Sequence, residues 1–164
     1  MGTSDKERTL VLIKPDGVVR NLIGKIITRF EDAGLKVIGM KMVWADEDFA
    51  RKHYRAELDE RYKEVEKKFG RNVRNELVKY IKEGPIVAFV LEGVDAIKVT
   101  RKIVGSTYPN DISKDYANAK NVMVRNLIHA SEDKENADIE IVLWFTKNEL
   151  HSYKTVHDIV CFEE

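Results

Sequence analysis

The run Ile86-Val87-Ala88-Phe89-Val90-Leu91, set between Gly84-Pro85 and Glu92-Gly93, constrains the fold of this chain more than any other stretch. An apolar run this short, closed on both sides by turn formers, reads as a buried strand rather than a helix. A buried strand requires neighbours, and three further segments qualify. Leu10-Val11-Leu12-Ile13 packs branched aliphatics together and stops at Pro15-Asp16-Gly17. Residues 35–44 alternate in the manner of a second strand, and Val122 to His129 forms the last candidate.

Helical patterns fill the intervals. Leu22, Ile26 and Phe30 share one stripe, with Ile23 and Ile27 beside it and Gly34 as the stop signal. Residues 46–81 follow a helical pattern behind a plausible N-cap at Asp46, ended by Gly84-Pro85. Asp95 caps a helix that Gly105 terminates. Residues 106–120 are rich in turn formers and read as a loop, residues 134–145 read as a helix, and residues 146–164 read as an irregular tail. The order β-α-β-α-β-α-β predicts a single α+β domain over residues 1–164, a ferredoxin-like antiparallel sheet covered by helices.

Charge narrows the function. The 28 Lys and Arg residues balance 28 Asp and Glu, so the net charge is zero and no long-range field favours nucleic acid or an anionic membrane. No apolar run approaches the roughly 20 residues needed to cross a bilayer. A lone cysteine, Cys161, cannot form an internal disulfide, and no secretory signal precedes Leu10, which together predict a cytoplasmic protein. In residues 57–74 acids and bases interleave at helical spacing, the pattern of a solvated helix face.

Phosphate-handling motifs are informative by their failure. Gly17 to Lys25 superficially echoes a phosphate-cradling P-loop, but the spacing is too long and Ile26 stands where Ser or Thr is required. Protein-kinase signatures are absent from the sequence, and one cysteine with four scattered histidines makes a poor zinc site. A histidine nucleophile remains. Neutral imidazole can attack phosphorus directly if one ring nitrogen is free and the other is held by an acceptor. His129, on the last apolar run, is the candidate nucleophile, and Glu140 on the following helix is a candidate orienter. Lys14, Arg101 and Thr107 lie at or just after element ends and are candidate phosphate ligands. His53 reads as a helix-surface or pocket-rim residue, His151 and His157 as solvated, and Trp44 and Trp144 as core or rim aromatics.

The segments "TLVLIKPDGVVRNLIGKII", "HY", "GPIVAFVLEG", "TRKIVGSTYP" and "NLIHAS" occur in order from about Arg8 to Phe145. Together they resemble the nucleoside diphosphate kinase family, whose Asn-x-x-His-(Gly/Ala)-Ser-Asp motif is met by Asn126, His129, Ala130 and Ser131, with Glu132 in the last place. The resemblance implies ping-pong transfer of the γ-phosphoryl group from a nucleoside triphosphate to a nucleoside diphosphate through phospho-His129. It also implies that Nδ1 attacks while Glu140 holds the other ring nitrogen. Lys14 would bind phosphate and the sugar hydroxyl, Tyr54 would abut the catalytic pocket, Arg101 and Thr107 would hold phosphates, and Asn126 would bind the ribose. Mg²⁺ would bridge the nucleotide phosphates with no dedicated protein ligands, and the assembly would be a homo-oligomer, a hexamer in preference to a tetramer.

This chain departs from the family pattern in two places. The segment between Tyr54 and Leu77 is longer, with Val73 near the place of a base-stacking aromatic and Phe69 within the added residues. The loop after Pro109 is shorter, and Ser113 occupies the place of a phosphate-binding arginine. Lys114 beside it is the candidate substitute, as a point charge without a bidentate fork. The alternative implied by that shortened loop is a nucleotide-binding or regulatory paralogue with weak or no transfer.

Overall fold

In the computed structural model, the described residues are 6–55, 60, 63, 64, 66–68, 70, 72–105 and 126–162. Four strands are seen, β1 (Lys6–Ile13), β2 (Lys36–Val43), β3 (Ile86–Val94) and β4 (Ile128–Ala130). They form one sheet in the order β2-β3-β1-β4, and every pairing is antiparallel. The helices include α1 (Pro15–Val19), α2 (Ile23–Asp32), α3 (Glu47–His53), α4 (Val73–Ile81), α5 (Ala96–Val104), α6 (Lys134–Trp144) and α7 (Val156–Phe162), and the described residues 60, 63, 64 and 66–68 are helical as well.

The apolar runs at 10–13 and 86–91 are unbroken because the sheet is covered on both faces. Leu10 and Leu12 point into a core with Ala88, Val90, Ala50, Tyr54, Leu77, Ile81, Ile141 and Trp144. Val11 and Ile13 point the other way, to Phe89, Leu91, Ile26, Phe30 and Ala96. The strand period of two thus sends successive residues of β1 into different cores. Helices α3, α4 and α6 cover the first face, and α2 and α5 the second.

Four sequence expectations need correction. Pro15-Asp16-Gly17 does not simply stop β1; it opens the short helix α1, with proline in its first turn where the missing N–H costs nothing. Gly17 is needed there, since a Cβ would lie 2.7 Å from Ile13 Cγ2. The single helical stretch over 46–81 divides, with α3 ending at His53 and α4 beginning at Val73 behind an Asn72 cap. His129 does not close its strand. It is the middle residue of β4, paired with Leu12, while residues 122–125 lie outside the described residues. The tail contains α7, because Thr155 and Asp158 cap one another: the Thr155 N–H donates to Asp158 Oδ2 at 2.9 Å and the Asp158 N–H to Thr155 Oγ1 at 3.1 Å.

The tail also closes part of a sheet edge. The His151 N–H donates to Ile38 O at 2.7 Å, and Lys36 Nζ donates to the Tyr153 carbonyl at 2.6 Å. Gly39 permits this approach, since a Cβ there would meet Glu149 O at 2.7 Å. Of the charged 57–74 segment, the described residues Lys63, Glu64, Lys67 and Lys68 are exposed, as interleaved charge predicts.

Candidate active site

Three elements converge where β4 meets α6. Strand β4 presents His129, whose side chain is 21% exposed, and α6 presents Glu140. Glu140 Oε2 lies 3.0 Å from His129 Nε2. A carboxylate only accepts, so the proton of neutral His129 sits on Nε2 and the lone pair on Nδ1. The Ser131 hydroxyl donates to the same Oε2 at 2.6 Å and accepts the Leu10 N–H at 3.3 Å, tying the carboxylate to β1. Burial alone would raise the Glu140 pKa; the charge and hydrogen bond of His129, with help from His53 and Ser131, overcome this and lower it to about 2.

Lys14 follows β1 directly. Its backbone N–H donates to Leu127 O at 2.9 Å, and its Nζ donates to Asn126 Oδ1 at 2.5 Å, joining the end of β1 to the entry of β4. Only 3% of Lys14 is exposed, and burial lowers its pKa to about 7. Tyr80 lies beneath this pair: its ring centroid is 6.0 Å from Lys14 Nζ and its hydroxyl donates to the Asn126 carbonyl at 3.4 Å. An ammonium here is poised to gain from any anion that enters.

Tyr54 is buried at the end of α3, where Arg74 Nε donates to its carbonyl at 2.7 Å. Arg101 stands exposed on the last turn of α5, the helix packed against β1 and β4. The structure therefore brings His129, Glu140, Lys14 and Asn126 together around β1 and β4. Thr107 and Lys114, with Ser113 and Phe69, lie outside the described residues. Val73, near the expected base-stacking place, is buried in the core at the start of α4.

Of the two sequence readings of His53, helix surface or pocket rim, the structure overturns the first. The residue is 5% exposed, not on a helix surface, and its ring stands edge-on to His129 with centroids 4.7 Å apart at 83°. The signal was present in the spacing, since Ala50, His53 and Tyr54 fall on one buried face of α3. Trp144 is buried and donates its indole N–H to His53 Nδ1 at 3.3 Å, whereas Trp44 is 67% exposed and donates to Lys82 O. His151 is exposed; the His157 side chain lies outside the described residues.

His53, His129 and Glu140 bring three ligand-type atoms within 4.8 Å of one another, the only such group among the described residues. The donor set is of a kind zinc accepts. However, the Trp144 hydrogen bond puts the His53 proton on Nε2, and the Glu140 hydrogen bond occupies His129 Nε2. His129 is thus bonded to Glu140 and His53 to Trp144, an arrangement that is not a cage. No cluster of carboxylates suited to Mg²⁺ occurs among the described residues.

A strand-borne imidazole with one nitrogen held by a carboxylate and, among the described residues, no partner on the other has the chemistry that a phosphoryl acceptor needs. Comparison with known proteins agrees. A family model described as nucleoside diphosphate kinase matches residues 7–150. A nucleoside diphosphate kinase of Pyrococcus horikoshii is 46% identical over 160 residues, covering 94% of this chain and 95% of the relative. That of Borreliella burgdorferi is 39% identical, covering 90% and 92%. A solved structure described as a transition-state mimic of the Borrelia burgdorferi enzyme with bound vanadate and ADP superposes with a TM-score of 0.80 at 37% identity, over 94% of this chain and 95% of that one. An NDP kinase from Pyrobaculum aerophilum superposes with a TM-score of 0.77 at 32% identity, over 90% and 100%. The chain belongs to the nucleoside diphosphate kinase family of phosphotransferases.

Proposed function

We propose that this protein moves the γ-phosphoryl group of a nucleoside triphosphate to a nucleoside diphosphate through a covalent intermediate on His129. The observation that carries the reading is the Glu140–His129–Ser131 arrangement, which leaves Nδ1 as the nitrogen with an available lone pair. In the first half-reaction Nδ1 bonds to the γ-phosphorus and the bond from phosphorus to the bridging oxygen breaks. The nucleoside diphosphate leaves with that electron pair. In the second half-reaction a terminal oxygen of the acceptor diphosphate attacks the same phosphorus and the P–N bond breaks, restoring the imidazole.

Glu140 opposes the positive charge that develops on the ring as Nδ1 becomes bonded. Lys14 offsets phosphate charge, and its burial strengthens that interaction. Asn126 orients the Lys14 ammonium and binds the ribose, Tyr54 borders the pocket, and Arg101, Thr107 and Lys114 hold phosphates. Mg²⁺ enters as part of the substrate, on the nucleotide phosphates, where it neutralises charge. The reading extends to a cytoplasmic homo-oligomer, hexameric in preference to tetrameric, on family likeness alone. The relatives, named as kinases, lend no support to a regulatory paralogue.

The deciding experiment is to incubate the protein with labelled Mg·ATP, remove nucleotide, and measure acid-labile phosphoryl groups on the chain. One group per chain is expected, discharged by GDP and absent from His129→Asn. A wild type that gains none, or a variant that gains as much, overturns the reading. Lys114→Ala tests the shortened loop; an unchanged steady-state rate would remove Lys114 from the phosphate ligands.

A further inference from the structure

His53 contacts the proposed nucleophile, yet the transfer chemistry gives it no task. Its surroundings are specified in detail. Nδ1 accepts the Trp144 indole N–H at 3.3 Å, and Trp144 is itself packed edge-on to Phe49 at 4.7 Å and 89°. Tyr54 closes a further side, with ring centroids 4.7 Å apart at 62°. Nε2 is buried and finds no hydrogen-bond partner among the described residues. A phenylalanine would fill a similar volume without leaving a buried N–H unpaired, so space-filling does not explain a histidine here.

The explanation lies in how one helix holds two rings. Glu140 and Trp144 are separated by four residues on the buried face of α6, and residues so spaced lie one above the other. Glu140 takes His129 at Nε2 while Trp144 takes His53 at Nδ1. An indole N–H can only donate, so His53 must offer a lone pair at Nδ1 and carry its proton on Nε2. The opposite tautomer would set an N–H on Nδ1 against the indole N–H and lose that hydrogen bond.

From this geometry we infer that His53 is a positioning residue for the nucleophile. With its tautomer set by Trp144, it braces the His129 ring at 4.7 Å between centroids so that Nδ1 stays on the line of attack while Glu140 holds Nε2. This rests on the reading of His129 as the phosphoryl acceptor. A second cation beside His129 would oppose charge development during transfer. In keeping with the inference, burial first and the charge of His129 second hold the His53 pKa well below the usual histidine value, so the brace stays neutral.

The test is single-turnover phosphorylation by Mg·ATP over a range of ATP concentrations, in wild type, His53→Phe, His53→Gln and Trp144→Phe. Phenylalanine keeps a ring and loses both polar atoms, whereas glutamine can accept from the indole and donate from its amide. His53→Phe and Trp144→Phe are expected to slow the saturating rate roughly 10-fold, as small misplacements of reacting groups do, with the half-saturating ATP concentration unchanged. His53→Gln is expected to recover most of the rate. Equal rates for the Phe and Gln variants, or a wild-type rate in His53→Phe, overturn the inference.

Thermal melts identify any variant that fails to fold. The resting wild type then decides by ring ¹⁵N spectra at neutral pH: Nε2–H is expected at His53, and Nδ1–H or a doubly protonated ring overturns the inference. A wild type that gains no phosphoryl group on His129 overturns the functional reading itself. A labelled wild type matched by His53→Phe overturns only the role of His53.

Discussion

Two clusters of ionisable side chains lie on this fold and use similar residue types to opposite ends. Around β4 and α6, one carboxylate, Glu140, serves a histidine, His129, and a serine, Ser131, and Lys14 stands nearby in a buried setting. Where the tail crosses the start of the sheet, Lys36 Nζ lies 2.8 Å from Glu92 and 3.5 Å from Asp158. Arg8 closes on Glu92 at 2.9 Å and Lys6 on Asp158 at 2.6 Å. In the tail cluster opposite charges meet and carboxylates share cations, which pins α7 to β1 and β2. In the β4 cluster the pairing is incomplete: among the described residues, neither His129 Nδ1 nor the buried His53 N–H has a hydrogen-bond partner. Saturated charge makes a fastener, whereas charge left in want of a partner makes a site that a substrate can complete.

The largest effect should come from removing the free nitrogen. His129→Asn should lower phosphotransfer by at least roughly 10⁴-fold, as loss of a nucleophile does, with little change in fold measured by circular dichroism. Glu140→Gln keeps an acceptor but removes the charge opposing the developing imidazolium. Its steady-state rate should fall roughly 10²-fold. If Glu140→Gln is fully active, the contrast between the two clusters loses its basis.

The tail cluster should respond in stability instead. Lys36→Met leaves Glu92 and Asp158 without their shared, nearly buried partner and should cost about 3 kcal/mol in denaturant melts, while the rate of phosphoenzyme formation stays unchanged. A loss of rate without loss of stability would reverse the assignment of roles.

Lys14 provides a sharper test through pH. Its folded pKa of about 7 lies below the unfolded value of 10.5, so between these limits the unfolded chain binds the extra proton. Stability should therefore rise with pH from about 7 to 10.5. Lys14→Met should be more stable than wild type below pH 7, and the advantage should decay as pH climbs towards 10.5. A fastening lysine such as Lys36, whose pKa is raised by Glu92 and Asp158 against the effect of burial, should give no such gain. The smallest effect belongs to Thr100, whose buried hydroxyl has no hydrogen-bond partner among the described residues. Thr100→Val should be neutral or stabilising by up to about 1 kcal/mol in the same melts.

Strand order and helix order were legible in the chain because the sheet is covered on both sides, so β1 and β3 stand out as unbroken apolar runs between turn signals. The failed phosphate-handling motifs left a histidine nucleophile as a candidate, and the resemblance carried by Asn126, His129, Ala130 and Ser131 pointed to His129 and, on the following helix, to Glu140. The division of residues 46–81 was harder to see, since the interleaved charge continues a helical pattern, which the described residues 60, 63, 64 and 66–68 follow, across the breaks at Tyr54 and Asn72. The α7 cap at Thr155 and Asp158 could have been read from its spacing, but the helix depends on Lys6 and Lys36, which lie far away in sequence.

Local pattern thus determined most of the strands and helices, because periodicity and turn chemistry act over a few residues, and the family-like motif around His129 pointed to the candidate nucleophile. Tertiary structure alone decided that α6 would set Glu140 against His129 and Trp144 against His53. It also buried Lys14 and brought His53 against the His129 ring. Such properties come from the distance and orientation of groups on different elements, which are settled only when β4, α3 and α6 pack together.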